Sequence, residues 1–181
     1  MPDMNLPEMN IPEMDPDFLD LRDAVVAGFD HAEKLLAERP RALHARSLIG
    51  ETVFHWMVVE NELEIARWLL DRGADIDNRT RFDHTPLAEA ASLGYLQMCT
   101  LLLDRGADPR IRSHLGCTAL GAAALQDQIE VVALILSRLP ADEDMSKHID
   151  AISQDVLLDK TSRSCALLVA RGLRLPGTSL H

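Results

Sequence analysis

The sequence predicts an all-α solenoid, in which short helix pairs stack side by side and hairpin finger loops join the pairs. The main observation is a spacing of 33 residues: Thr52, Thr85 and Thr118 keep it, and so do Gly73 and Gly106. A fixed period of this length is the signature of a repeat architecture. The composition agrees, because the chain is 47% hydrophobic but only 4% aromatic. Its core must therefore be built from Leu, Ala, Val and Ile.

Each 33-residue unit contains the signals of two short helices. Thr85 is predicted to cap the first helix, with Pro86 at the first helical position, where its missing N–H costs nothing. Gly94 ends that helix, and Gly106 ends the second in left-handed geometry, as Gly73 does one unit earlier. Such a pair is too small to bury its own apolar face. It must stack on copies of itself.

Two units have another residue at the position of Gly94. Asn61 and Asp127 stand there, and both residue types tolerate left-handed backbone. We expect them also to cap the helices that follow, with Glu64 and Glu130 as capping-box partners.

The N-terminus differs in composition from the repeats. Residues 1–20 hold six acidic residues and no Lys or Arg, which leaves −5 of the net charge of −11 to the remaining chain. Prolines at every fifth position forbid a regular helix. We therefore divide the chain into an acidic, Pro- and Met-rich arm (1–16) and one repeat domain (17–181). Two interpretations of the arm remain open: a disordered tail, or a ligand-like strip carrying Met4, Leu6, Met9, Ile11 and Met14 between its acids.

Charge and composition exclude several classes of partner and location. A net charge of −11 argues against general binding to nucleic acid or anionic lipid. The sequence has neither a secretory signal nor an apolar run long enough to cross a membrane, which predicts a cytoplasmic protein. Three cysteines suit a reducing compartment. Cys99 and Cys165 are expected in the core, and Cys117 near the surface.

The motifs resemble the ankyrin repeat family. The similarity is carried by residues 83–94 (DHTPLAEAASLG) and 101–108 (LLLDRGAD). Three repeats are clear (47–79, 80–112 and 113–145), and 17–46 and 146–178 are similar to degenerate capping repeats. The resemblance implies structural roles at motif positions, with His55 tying a helix start to neighbouring backbone. These positions are Thr52, His55, Gly73, Thr85, Pro86, Gly94, Gly106 and Thr118.

The sequence contains no catalytic constellation, phosphate loop or metal-ligand set that stands above background. His114 and Cys117 have a metal-like spacing, but no second close pair completes a four-ligand site. We therefore expect no cofactor, no metal and no enzymatic activity.

The resemblance also implies where a partner binds, namely at the finger tips and the exposed edges of the first helices. Phe82 and Leu115 are the apolar positions there most suited to anchor a partner, and the alternative is that they pack against neighbouring fingers. The finger arginines have their own alternative, in which they are solvated or paired with nearby acids. The predicted partner-binding residues are Arg46, Ile49, Arg79, Arg81, Phe82, His84, Leu93, Arg112, His114, Leu115 and Leu125.

Together these features predict a non-catalytic adaptor or regulator that binds a protein with an acidic or amphipathic segment. The N-terminal arm is a further candidate occupant of the groove, in cis or in a dimer. The alternative function is an inhibitor of the antitoxin or immunity type, which blocks one effector enzyme.

Overall fold

The computed structural model of the chain describes residues 14–114, 116–148 and 163–172. Helix pairs follow one another along the chain, which confirms the all-α repeat architecture. The described residues contain four pairs: α1 (Pro16–Ala27) with α2 (Phe29–Glu38), α3 (Val53–Val59) with α4 (Leu63–Asp71), α5 (Pro86–Leu93) with α6 (Leu96–Asp104), and α7 (Ala119–Leu125) with α8 (Ile129–Arg138). Helix α9 (Arg163–Ala170) packs on α8, and short 3-10 helices span Pro40–His44 and Met145–Lys147.

The first helices α1, α3, α5 and α7 form one layer, because each contacts the first helix of the next pair. The second helices pack against this layer and against each other. One continuous core runs through the stack. Its largest fully buried side chains are mostly aliphatic: Phe18, Leu21, Phe54, Met57, Leu69, Leu87, Met98, Leu102, Leu120, Ile135 and Met145.

Threonine hydroxyls start two of the first helices. Thr52 Oγ1 accepts a hydrogen bond from the His55 backbone N–H at 3.3 Å, and Thr85 Oγ1 accepts one from Ala88 N–H at 3.2 Å. Helix α5 begins at Pro86, as its sequence predicts. Thr118 precedes α7 but makes no side-chain cap. Its hydroxyl instead lies 3.0 Å from Nδ1 of His148.

The tight turn inside each pair uses a left-handed residue. Gly94 has φ 76°, and Asn61 and Asp127 take the same position with φ 59° and 51°, as expected. The predicted capping boxes are wrong. The residues that precede α4 and α8 are Glu62 and Gln128, and neither helix start has a side-chain cap. Asp127 Oδ1 instead accepts from the Ser164 N–H of α9 at 3.0 Å.

Part of the acidic N-terminal stretch belongs to the first repeat. Asp15 caps α1, and Asp17 in its first turn is buried. The Asp17 carboxylate bonds Arg39 at 2.8 Å and Arg41 at 2.7 Å, and Arg39 also pairs with Asp20. These acids therefore fix α1 to the segment that precedes the first finger. The arm up to residue 13 lies outside the described residues.

The second helices are linked by ion pairs at the period of the repeat. Arg105 bonds Asp71 and Arg138 bonds Asp104, each at 2.7 Å and each to the preceding repeat. Arg72 bonds Glu33 in the same way and also lies 3.6 Å above the Trp68 ring. These pairs are exposed, so each contributes at most about 1 kcal/mol. The 33-residue spacing of these arginines therefore reflects the stacking of the repeats.

Candidate functional site

Three hairpin fingers project from the layer of first helices. Each is closed by one backbone bond across its base: Ser47 N–H to Glu51 O (2.8 Å), Thr80 N–H to His84 O (3.1 Å) and Ser113 N–H to Cys117 O (2.8 Å). Neighbouring fingers are also joined at their tips. Arg81 N–H donates to Ile49 O at 2.8 Å, and His114 N–H donates to Phe82 O at 3.0 Å. The fingers therefore form a continuous, backbone-bonded edge that holds its side chains in fixed register.

The arginine that immediately precedes the base of each finger braces this edge. Arg46 donates to Arg79 O at 3.0 Å, Arg79 donates to Arg112 O at 2.8 Å, and Arg112 donates to Lys147 O. Arg79 also lies 3.5 Å from Asp83. The sequence predicts that these arginines bind a partner. Their hydrogen bonds to carbonyls of the next unit give each of them a structural role within the stack as well.

Other predicted finger residues face solvent. Phe82 is 56% exposed and Ile49 is 44% exposed, so two large apolar side chains face solvent on neighbouring fingers whose tips are joined by backbone bonds. The Phe82 ring centre lies 6.4 Å from that of His84. Arg81 and His114 are also exposed, and neither forms an ion pair within the described part of the chain. Leu115 lies outside the described residues.

A pocket of about 190 Å³ opens where the second and third fingers meet α5 and α7. Ala88, Ala122 and Leu125 form much of its apolar wall, and His84 and Glu89 lie at its finger side. Leu125 is half-buried here, and Leu93, which is 44% exposed, follows pocket-lining Ser92 on α5. The remaining lining residues are Ser92, Ser113, Cys117 and Gln126. Fingers and first helices thus create one recess that joins apolar and polar groups.

A short hydrogen bond links two of the pocket residues. His84 Nδ1 lies 2.6 Å from Glu89 Oε1. Burial, assisted by the Glu89 carboxylate, raises the pKa of Glu51 on the preceding finger. Glu89 is thus close enough to Glu51 for its charge to act on that carboxyl group. Glu89 itself bonds the His84 imidazole.

His55 lies fully buried beneath the same region. Burial lowers its pKa to about 4, with Asn78 and Glu89 opposing the decrease. The Asn78 amide oxygen, oriented toward Arg46, accepts bonds of 2.8 and 2.9 Å from that guanidinium. The expected tie between the His55 ring and neighbouring backbone is absent, because neither ring nitrogen bonds to a backbone group among the described residues. Burial therefore keeps the imidazole neutral near neutral pH.

Sequence reasoning missed how the chain that follows repeat 113–145 docks on that repeat. His148 is buried, with Nδ1 at 3.0 Å from Thr118 Oγ1 and Nε2 at 3.5 Å from Glu143. The His148 carbonyl accepts the Thr118 N–H at 3.2 Å and would lie only 2.5 Å from a Cβ at position 121. This contact explains both the Gly at 121 and the missing Thr118 cap. The sequence does contain one indication of this contact. Gly121 stands at the position where the first clear repeat has His55, so it departs from the motif.

Neither of the two cysteines whose side chains the structure describes belongs to a metal-binding group. Cys99 is fully buried, and burial raises the pKa of its thiol to about 12. Cys117 is also buried, so its expected place near the surface is wrong. The Cys165 side chain lies outside the described residues. In the regions that the structure describes, no three His, Cys, Asp or Glu side chains are grouped so that they could hold a metal ion.

The family follows from a sequence comparison. The family description "Ankyrin repeats (3 copies)" matches residues 21–113 and 80–147, which is more than half of the chain. The chain belongs to the ankyrin-repeat family. Ankyrin-repeat domains are generally protein–protein interaction modules and are typically non-catalytic.

One curated relative is similar over a shorter stretch. A 57-residue segment, 32% of the chain, is 37% identical to serine/threonine-protein kinase VIK of Arabidopsis thaliana and covers 13% of that protein. The similarity lies in the repeats and gives no evidence of catalysis. Within the described ranges, no helix is both long enough and apolar enough to cross a membrane.

Proposed function

We propose that this ankyrin-repeat protein binds another protein through the tip of its second finger and the adjoining pocket, and that the bound segment is acidic or amphipathic. The observation that carries the proposal is Phe82, 56% exposed at a finger tip whose backbone is bonded on both sides. Phe82 thus offers an apolar anchor that is already ordered before binding. Aromatic anchors of this kind dominate the energy of many protein interfaces.

The charge beside Phe82 favours an acidic partner segment. Arg81 and His114 are exposed at the same edge and pair with no acid among the described residues. A carboxylate of the partner would gain a charge-assisted hydrogen bond here, provided that the pair is partly shielded from water. The local basic edge explains how a chain of net charge −11 could still select an acidic ligand.

The proposal predicts that Phe82→Ala combined with Arg81→Ser weakens capture of a specific partner from native lysate by at least about tenfold, equivalent to 1.4 kcal/mol. We choose Arg81 and leave Arg79 intact, because Arg79 braces the neighbouring finger. Quantitative mass spectrometry of the captured proteins is the measurement. Leu96→Ala is the matched control, since Leu96 is 41% exposed but begins a second helix. A capture profile equal for both variants would contradict the proposal.

The inhibitor alternative is favoured by the overall acidity of the chain, which suits a basic effector enzyme. It differs from an adaptor in what happens to the captured protein. Addition of the chain would abolish the activity of a captured enzyme at one-to-one stoichiometry, whereas an adaptor would leave that activity intact.

A further inference from the structure

The pocket between α5 and α7 is shaped for one apolar side chain of a bound segment. Its wall is mainly the aliphatic surface of Ala88, Ala122 and Leu125, and its size of about 190 Å³ is small. The polar groups at its finger side are already engaged, because His84 and Glu89 bond each other. A methionine, leucine or isoleucine side chain therefore matches the free surface better than a charged one does.

Cationic groups line the edge above this pocket. Arg81 and His114 are exposed there, whereas Arg79, which is 46% exposed, already lies 3.5 Å from Asp83. A segment that runs along the fingers into the pocket passes Arg81 and His114. The surface thus selects an extended strand in which acidic residues are spaced between aliphatic ones.

The first thirteen residues of this chain have that composition. Asp3, Glu8 and Glu13 alternate with aliphatic residues, and the segment has no Lys or Arg. Its aliphatic members are Met1, Met4, Leu6, Met9 and Ile11.

The segment starts at the correct end of the molecule and is long enough. The segment leads into α1. Asp17 in the first turn of α1 pairs with Arg39 and Arg41, which precede the first finger. The pocket lies two to three first-helix spacings away, roughly 16–30 Å at 8–10 Å per packed helix. Thirteen extended residues reach about 43–47 Å. A tether this short gives a millimolar effective concentration, so even a weak site would be occupied.

We propose that residues 1–13 bind in cis along the finger edge, with the side chain of Met4, Leu6 or Met9 in the pocket, since Ile11 lies too few residues before α1 to reach it. The inference rests on the proposed function, because both use the same surface. The segment then competes with the protein partner, and partner binding requires its release.

Nuclear magnetic resonance of the full-length protein tests this directly. A variant with Met4, Leu6, Met9 and Ile11 all changed to Ser should shift the amide resonances of the pocket residues Ser92, Ala122 and Leu125. The matched control, Asn5→Ser with Asn10→Ser, alters the same segment and should leave those resonances in place. A synthetic peptide of residues 1–13, added to the four-serine variant, should return them toward their wild-type positions in a saturable way. Ala122→Met, which fills the pocket from α7, should shift the Leu6 and Met9 methyl resonances.

Two results would overturn the proposal. Pocket resonances that coincide in the wild type and the four-serine variant would show that the segment does not bind there. Wild-type pocket resonances that move toward the variant positions on dilution would assign the occupant to a second copy of the chain. Neither measurement uses the partner. An unoccupied pocket with partner capture still sensitive to Phe82 would therefore reject only this inference, and an occupied pocket with insensitive capture would reject only the proposed function.

Discussion

Several residues in this protein are explained by a contact with a neighbouring repeat. Thr118 stands at a motif position that caps a helix in the two preceding repeats, yet its hydroxyl bonds His148 thirty residues later. Gly121 leaves the space that the His148 carbonyl occupies. The sequence shows that position 121 departs from the motif, but not why. The reason lies in a contact with a segment that has no repeat signature.

The buried His55 leads to a pH prediction. Its pKa of about 4 lies below the ordinary value of 6.5, so the folded protein keeps the ring neutral while the unfolded chain takes up a proton. Stability should therefore fall as the pH drops from about 6.5 to about 4, by roughly 3 kcal/mol, and this contribution should level off below that. The measurement is the free energy of unfolding by urea at a series of pH values.

Replacement of the ring separates this contribution from other titrating groups. His55→Gln should flatten the slope between pH 6.5 and 4, whereas His31→Gln, at an exposed position, should preserve it. Some slope should remain in the first variant, because burial also lowers the pKa of His148. An unchanged slope in His55→Gln would contradict the assignment.

At the level of elements, the regular repeats were more predictable than the ends. The start of α5 and the left-handed turns at Asn61 and Asp127 depend on local backbone preferences, which the residue types reveal. The absent capping boxes show the limit of such local rules: Asn61 takes the left-handed turn, so the residue that precedes α4 is Glu62, one residue past the expected cap. The ion pairs of α1 could not be predicted, because Asp17 meets arginines 22 and 24 residues away.

For the candidate site, too, the sequence predicted the positions of residues along the chain but not their contacts with neighbouring repeats. The repeat register indicated which residues lie on the fingers, so the exposed Phe82 and Ile49 could be found. That register could not reveal that Arg46, Arg79 and Arg112 bond carbonyls of the next unit, since a side-chain direction depends on the stacking distance between repeats. The pocket was missed for the same reason, because it lies between two repeats.

The stability of helix α1 should depend far more on Asp17 than on Asp20, which lies one turn later in the same helix. The Asp17 side chain is 7% exposed and bonds two arginines, whereas that of Asp20 is 50% exposed. Asp17→Ala would leave Arg39 without its shielded partner and should cost about 1–3 kcal/mol. Asp20→Ala should cost less than about 1 kcal/mol, as expected for an exposed pair. Urea unfolding checks both values, and equal losses would show that the burial of Asp17 adds nothing.

For the whole molecule, the stack makes stability a sum of contacts between neighbours. Among the described helices, the main contacts join neighbouring repeats, so a change at one end should not reach the other. Helix α9 is a clear case, since its packing partner among the described helices is α8. Asp127 holds its start, and Arg171 just beyond its end donates to the carbonyls of Leu136 at 3.0 Å and Pro140 at 3.2 Å.

Arg171→Ala should therefore release α9 while leaving the centre of the stack unaffected. Loss of hydrogen bonds from a charged donor, at about 1.5 kcal/mol, should speed amide exchange in α9 about tenfold. The amides of α3 and α5 should keep their wild-type rates, because no contact of Arg171 reaches them. Arg163→Ala, an exposed change at the start of α9, is the matched control and should alter exchange less than Arg171→Ala. Hydrogen exchange followed by nuclear magnetic resonance measures each helix separately. Equal acceleration in α5 and α9 would mean that the described repeats unfold as one unit, and the additive view of the stack would then be wrong.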